Sequence, residues 1–342
     1  MKNIVTIGGG TGSFTLLSGL KKYPISISAI VSMADDGGST GRLRDELGVL
    51  PPGDVRQCLV ALSDESEEMR ELFNYRFEAG DLKGHNFGNI FLSALEKINK
   101  SFSEGVLEAA KILNVRGSVI PVSNEKMNLR IKLKNGKVLK GESHLDDSRE
   151  IKNVGVEEIS LSPKVKAYKG AVDAIMKADT IVITPGDHFG SIVPNLLVDG
   201  ISQALQKTKA KVVYCCNLTN KKGQTDGFDL DQYAKEVNRY IGEDRIDYVI
   251  FNSTKLPRDL VSKYEKSEGE NSVVGFDRDK MEARSYKVIL ADILQKRKIT
   301  ESVRDAIAAT RSFIRHDSDQ IAKVIMTVSD MDDKKSVIKE IV

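Results

Sequence analysis

The apolar positions change their period along the chain in a repeating way. Residues 4–7 form a short apolar run that passes into Gly8, Gly9, Gly10, Thr11, Gly12 and Ser13, after which Phe14, Leu16, Leu17 and Leu20 recur at helical spacing. This predicts strand, tight loop, helix. A second strand is expected over 25–33, completing a first βαβ unit. It runs into Asp35, Asp36, Gly37, Gly38, Ser39, Thr40 and Gly41, ahead of a helical segment bearing Leu43 and Leu47. Pro51, Pro52 and Gly53 then break the pattern. Asp54, with Gln57 three residues on, reads as a capping-box-like start to a helix carrying Val55, Leu59 and Leu62. Helices continue to about residue 113, one of them opened by Ser101 with Glu104.

Over 115–166 the period becomes alternating, with Met127, Leu129, Ile131 and Leu133 on one face and Asn135-Gly136 marking a turn. A β-rich insertion is expected there. Helical spacing returns at Ala171, Val172, Ile175 and Met176. A strand over 180–184 then enters a third small-residue loop, Pro185, Gly186, Asp187, His188, Phe189, Gly190 and Ser191. A helix from about 194, a strand over 211–216, a polar loop over 217–228 and a strand over 248–252 follow. An amphipathic stretch from 301 to about 328 places Val303, Ile307, Ala308 and Ile314 on one side. The alternation predicts a doubly wound, Rossmann-like α/β fold with a mainly parallel sheet. Segments 1–114 and 167–342 would form the α/β domain, the latter with a helical tail, and 115–166 the insertion.

Composition narrows the functional classes. Among 342 residues, 51 basic and 49 acidic side chains leave a net charge of +2, too small to supply the field that nucleic-acid binding requires. Cys58, Cys215 and Cys216 form no paired framework, which suits a reducing compartment. No run approaches the ~20 apolar residues of a membrane span, and the start has no secretory pattern. A cytoplasmic location without a membrane span is expected.

In an open α/β sheet, ligands sit beyond the carboxyl ends of the strands, and four such ends here carry Gly, Ser, Thr, Asn or Asp. Gly9, Gly10, Thr11, Gly12 and Ser13 suit a phosphate cradle, because backbone N–H groups at a helix start can face an anion. The dinucleotide fingerprint is incomplete: Ser13 or Thr15 stands where its third glycine belongs, and there is no Walker lysine. Asp35 and Asp36 beside such a cradle would repel phosphate unless a cation such as Mg²⁺ lay between, so both are candidate metal ligands. The alternative is that one of them caps the next helix. Asp54 reads first as a cap and second as a catalytic candidate, alongside Asp35 and Asp36. Asn86 and Asn89, among glycines before a helix, suit either capping or hydrogen bonding to a ligand. Gly186 and Ser191 in the third loop, and Asn217, Thr225 and Asp226 in the fourth, are weighed in the same way. His144, His188 and His316 lack metal-ligand or triad spacing, which argues against zinc and acyl transfer.

Taken together, the motifs at 8–13, 32–44 and 50–56 resemble the YvcK branch of the CofD-like family, the gluconeogenesis factors. Those at 84–89, 192–197, 217–219, 225–228 and 315–317 extend the similarity over nearly the whole chain. The relatives include 2-phospho-L-lactate transferase, which moves a phospholactyl group from a guanosine diphosphate-linked donor with Mg²⁺. The bacterial branch is associated with growth on gluconeogenic carbon sources, cell shape and cell-wall precursor supply, and with binding nucleotide sugars such as UDP-N-acetylglucosamine. The resemblance implies that the first loop meets the diphosphate and that Asp35 and Asp36 lie at metal or acceptor contacts. It also implies that Asn195, Asn217, Thr225 and Asp226 surround the ligand. One departure stands out, because Asp187 replaces a hydroxyl of the family's third loop and would repel phosphate unless a metal or His188 compensated. A second is the Lys221-Lys222 pair. The expected function is a nucleotide-sugar-binding regulator acting through metabolic or cell-wall protein partners, with a homodimer as the expected assembly. The rival is a Mg²⁺-dependent transferase, and an NAD-dependent oxidoreductase is the weakest reading.

Overall fold

The computed structural model describes residues 1–279, 284–295 and 314–331. Ten strands are found among them: β1 (Asn3–Gly8), β2 (Ser26–Val31), β3 (Ser118–Pro121), β4 (Asn128–Leu133), β5 (Val138–Lys140), β6 (Val156–Ser162), β7 (Thr180–Ile183), β8 (Lys211–Cys215), β9 (Tyr248–Asn252) and β10 (Lys287–Ala291). Seven form one parallel sheet in the order β10-β9-β8-β7-β1-β2-β3. Helices cover it, so its central strands are apolar throughout; all four residues of β7 are buried. The chain runs outward from β1 to β2 and β3, returns to β7 beside β1, and continues to β8, β9 and β10. The crevice between β1 and β7 is therefore the topological switch point, the place where such sheets bind ligands. Helix α1 (Gly10–Leu20) packs against α3 (Gly53–Leu62) and the helix Ser318–Asp330, while α2 (Gly38–Leu47) follows β2.

The expected α/β architecture is found, with two differences. The alternating segment 115–166 divides: β3 joins the main sheet beside β2, and only β4, β5 and β6 form a separate antiparallel sheet. Its inward residues Leu129, Ile131 and Leu133 are buried, as the alternation requires. β3 escapes this distinction because a four-residue strand carries too little pattern to reveal its partner. β10 was also not foreseen. Of the C-terminal amphipathic stretch, Val303, Ile307 and Ala308 lie outside the described residues; the helix Ser318–Asp330 begins with Asp317 accepting the Asp319 and Gln320 N–H groups. No helix among the described residues is long and apolar enough to cross a membrane. All three cysteines are free and buried.

Candidate functional site

Three chain segments meet at the carboxyl ends of β1 and β7, and glycine is what lets them. A Cβ on Gly12 would lie 1.6 Å from the Pro185 carbonyl oxygen, one on Gly8 2.0 Å from Thr184 Oγ1, and one on Gly9 2.1 Å from Asp54 Oδ2. The first loop thus sits directly against the third loop and the start of α3. Gly9 gives α1 no side-chain cap, and no acidic residue stands in its first turn. The positive end of the helix dipole lies here, and the Asp54 carboxylate accepts the Gly10 N–H at that end. Gly10, Thr11 and Gly12 are half-exposed, as are Gly186 and Ser191 opposite. Ser13 is buried, its hydroxyl 2.9 Å from that of Thr184. Asn195 is fully buried and donates to the carbonyls of Gly8 (3.1 Å) and Ser191 (2.8 Å), so it clamps the two loops. Asn217, half-buried, donates to the Gly186 carbonyl at 2.8 Å.

The carboxylates sort differently from their sequence reading. Asp36 accepts the Ser143 N–H at 2.8 Å, and a Cβ on Gly141 would come within 2.6 Å of it. It therefore docks the insertion onto the second loop, a use its place beside Asp35 in sequence does not reveal. Asp54 does not cap α3, whose N-cap is Pro52; its carboxylate instead accepts the Gly10 N–H. Burial, followed by the neighbouring Asp35 charge, raises Asp54 to about 7 against the partial offset of the Gly10 N–H and Arg56. Asp35 is raised as well, chiefly by burial, while hydrogen bonds from the Gly37 N–H and the Thr40 hydroxyl oppose the shift. Of the two adjacent aspartates of the second loop, Asp35 is the one whose charge acts on Asp54. Among the described residues no group of three or more His, Cys, Asp or Glu could hold a metal ion by itself.

Glu142, from the insertion, is a site residue that sequence reasoning missed. Burial and the charges of Asp35, Asp187, Asp146 and Asp54 push its carboxyl well above the usual range. Nothing in the polar run around it distinguishes it in sequence.

Lys221 answers the question raised by Asp187. Its ammonium lies 2.6 Å from Asp187 and 2.6 Å from Asp146, bridging the third loop, the fourth loop and the insertion. Burial alone would raise Asp187, but Lys221 and the Gly190 N–H hold it below the ordinary carboxylate value. Lys221 is in turn held charged by the two aspartates against the cost of its burial. His188 does not compensate. Its ring is buried among Phe189, Phe228 and Tyr233, and burial lowers it to about 4, leaving it neutral. The two departures noted in the sequence, Asp187 and Lys221, are thus one ion pair.

Four other candidates are engaged internally. Asn86 caps the helix Phe87–Asn99 through the Asn89 N–H, and Asn89 accepts from the buried Arg56 at 3.0 Å. The Thr225 hydroxyl bonds the Lys221 N–H and the Tyr233 hydroxyl, and Asp226 holds the Gly223 N–H. Asn86, Asn89 and Thr225 are buried, and Asp226 is exposed to solvent.

The sequence pattern of the family described as 2-phospho-L-lactate transferase CofD matches residues 4–294. The chain belongs to this family. Within it, the chain is 38% identical to the gluconeogenesis factor of Bacillus subtilis over 326 residues, covering 94% of this chain and 96% of that one. It is also 38% identical to the gluconeogenesis factor of Halalkalibacterium halodurans over 325 residues, covering 92% and 99%. A crystal structure of a UPF0052 family member from Bacillus halodurans superposes with a TM-score of 0.86 at 36% identity, covering 95% of this chain and all of that one. The chain accordingly belongs with the gluconeogenesis factors, whose members share this CofD-like domain.

Proposed function

We propose that this protein binds a nucleotide sugar of the UDP-N-acetylglucosamine kind at the β1–β7 crevice, and that occupancy regulates carbon flow, cell shape and cell-wall precursor supply through protein partners. The observation that carries the reading is the glycine-rich start of α1, which has no acidic residue in its first turn and lies where close glycine contacts join it to two other loops. The diphosphate would lie on Gly10, Thr11 and Gly12, with Gly186 and Ser191 opposite. The Asp35–Asp54 pair fits a hard cation, because each carboxyl resists ionisation until a positive charge arrives, and Mg²⁺ binds through one or two carboxylates plus phosphate oxygens. When bound, the ion would neutralise phosphate charge beside these carboxylates. Lys221 keeps Asp187 from adding an uncompensated negative charge to the same crevice.

Titration with UDP-N-acetylglucosamine, UDP, GDP and NAD, with and without Mg²⁺, followed by product analysis, tests the reading. Binding of the sugar nucleotide without turnover supports it; absence of binding refutes it. A second reading, a Mg²⁺-dependent transferase acting on a nucleoside-diphosphate-linked donor, is favoured by the family's described activity and by Asp54, poised near 7 to exchange a proton at neutral pH. It predicts a cleaved diphosphate.

A further inference from the structure

The insertion sends a strap of chain across the second, third and fourth loops, and each bond in it but one is satisfied by the protein. Gly141, at φ +112°, turns the chain out of β5, and a Cβ there would lie 2.6 Å from the Asp36 carboxylate. The Ser143 N–H donates to Asp36 at 2.8 Å, Gln224 Nε2 donates to the Leu145 carbonyl at 2.7 Å, and Asp146 takes the Lys221 ammonium at 2.6 Å. Leu145 is buried beneath them. Glu142 stands in the middle of this strap, half-buried, and among the described residues its carboxyl has neither a hydrogen-bond nor an ion-pair partner. A polar group held out of water without a partner costs free energy, so the fold gains nothing from it.

The third loop relates Glu142 to the phosphate cradle. A Cβ on Gly190 would lie 2.6 Å from Glu142 Oε1, while the hydroxyl of the next residue, Ser191, would lie 3.7 Å from a Cβ on Gly10. Glu142 and the start of α1 therefore meet adjacent residues of one loop, and consecutive α-carbons are only about 3.8 Å apart. A group joined to a phosphate at the start of α1 is within reach of this carboxyl. Metal binding is not what the carboxyl provides, because among the described residues no group of three or more His, Cys, Asp or Glu could hold an ion. The charges acting on it are those of Asp35, Asp187, Asp146 and Asp54, so a further anion would be repelled there. A neutral group rich in O–H and N–H donors suits a carboxyl acceptor in these surroundings.

We infer that Glu142 reads the sugar, its carboxyl accepting hydrogen bonds from the hydroxyl or amide groups carried beyond the diphosphate, which rests on the proposed nucleotide-sugar binding at the β1–β7 crevice. The α/β domain then supplies the hold on phosphate and the insertion supplies the choice of what is attached to it. Asp36 and Lys221 are positioning residues, fixing Ser143 and Asp146 on either side of Glu142.

The test titrates the full chain, with Mg²⁺ throughout, with UDP and with UDP-N-acetylglucosamine, as wild type, Glu142→Ala and Glu142→Gln. Wild type is expected to bind the sugar nucleotide at least about tenfold more tightly than UDP, and Glu142→Ala to reduce that preference about tenfold while leaving UDP within about twofold. Glu142→Gln keeps one acceptor oxygen and should recover part of the preference. Because the carboxyl has no protein partner, both variants should keep the wild-type melting temperature. An unchanged preference in Glu142→Ala, or a loss shared equally by UDP and the sugar nucleotide as a purely structural role would give, overturns the inference. If wild type binds UDP as tightly as the sugar nucleotide, the sugar is not read and the inference fails while the phosphate cradle stands; if neither binds, the nucleotide reading itself fails and takes the inference with it.

Discussion

Removing the Lys221 ammonium is the sharpest perturbation available, because three segments depend on it. Lys221→Met leaves Asp187 facing Asp54 and Glu142 with no cation beside it. Breaking a fully buried pair costs 3–5 kcal/mol in general. Here the side chains are 35% exposed for Lys221, 22% for Asp187 and 63% for Asp146, so solvent screening reduces the expected loss to about 2 kcal/mol, nearly all from Asp187. In the wild type the depressed Asp187 pKa gives stability that is present above the ordinary value of 3.8 and is lost as pH falls through the lower folded value. Without Lys221, burial dominates and raises the group, so the sign reverses and the variant's penalty grows as pH rises. Urea unfolding of the wild type, Lys221→Met, Asp187→Ser and the double variant should give a coupling of about 1 kcal/mol or more, the double variant being more stable than the sum of the singles. The Lys221→Met penalty should be smaller at pH 5 than at pH 8. Additive losses, or a penalty that ignores pH, would refute the reasoning.

Three further outcomes are expected. Asp54, raised to about 7 from 3.8, contributes stability that is present below 3.8 and lost as pH rises through 7; Asp54→Asn should therefore flatten the melting-temperature profile across that window and be the more stable protein at pH 8. Gly9→Ala drives a methyl group into the Asp54 carboxylate and should cost about 1–3 kcal/mol in denaturant unfolding, most of which Asp54→Ala restores. Asp36→Ala removes the acceptor for the Ser143 N–H and should speed hydrogen exchange at 141–146 about tenfold, while the amides of β1 and β7 stay protected.

The sheet could be read from sequence where strands are long or buried on both faces. β1, β2, β7, β8 and β9 announce themselves as apolar runs ending in small residues, and the glycine loop after β1 marks the crevice. β3 was assigned to the insertion because its four residues give no sign of which strand they join. The carboxylates were visible as types but not as roles. Asp35 and Asp36 are equivalent in sequence, yet the insertion's Ser143, over a hundred residues away, takes one of them and leaves the other to the crevice. Asp54 matched a capping pattern at 54–57, but the chain's approach through Pro52 starts α3 two residues earlier and turns the carboxylate toward Gly10. Asp187 and Lys221 each looked anomalous alone. Their pairing becomes legible only when the loops after β7 and β8, adjacent strands in the sheet, are brought side by side.

The most direct measurement is a crystal structure of the protein with UDP-N-acetylglucosamine and Mg²⁺. The account predicts the diphosphate at the start of α1 on the Thr11 and Gly12 N–H groups, with a cation between Asp35, Asp54 and the phosphate oxygens. A nucleotide bound away from the start of α1, or a crevice left empty at saturating ligand, would contradict it.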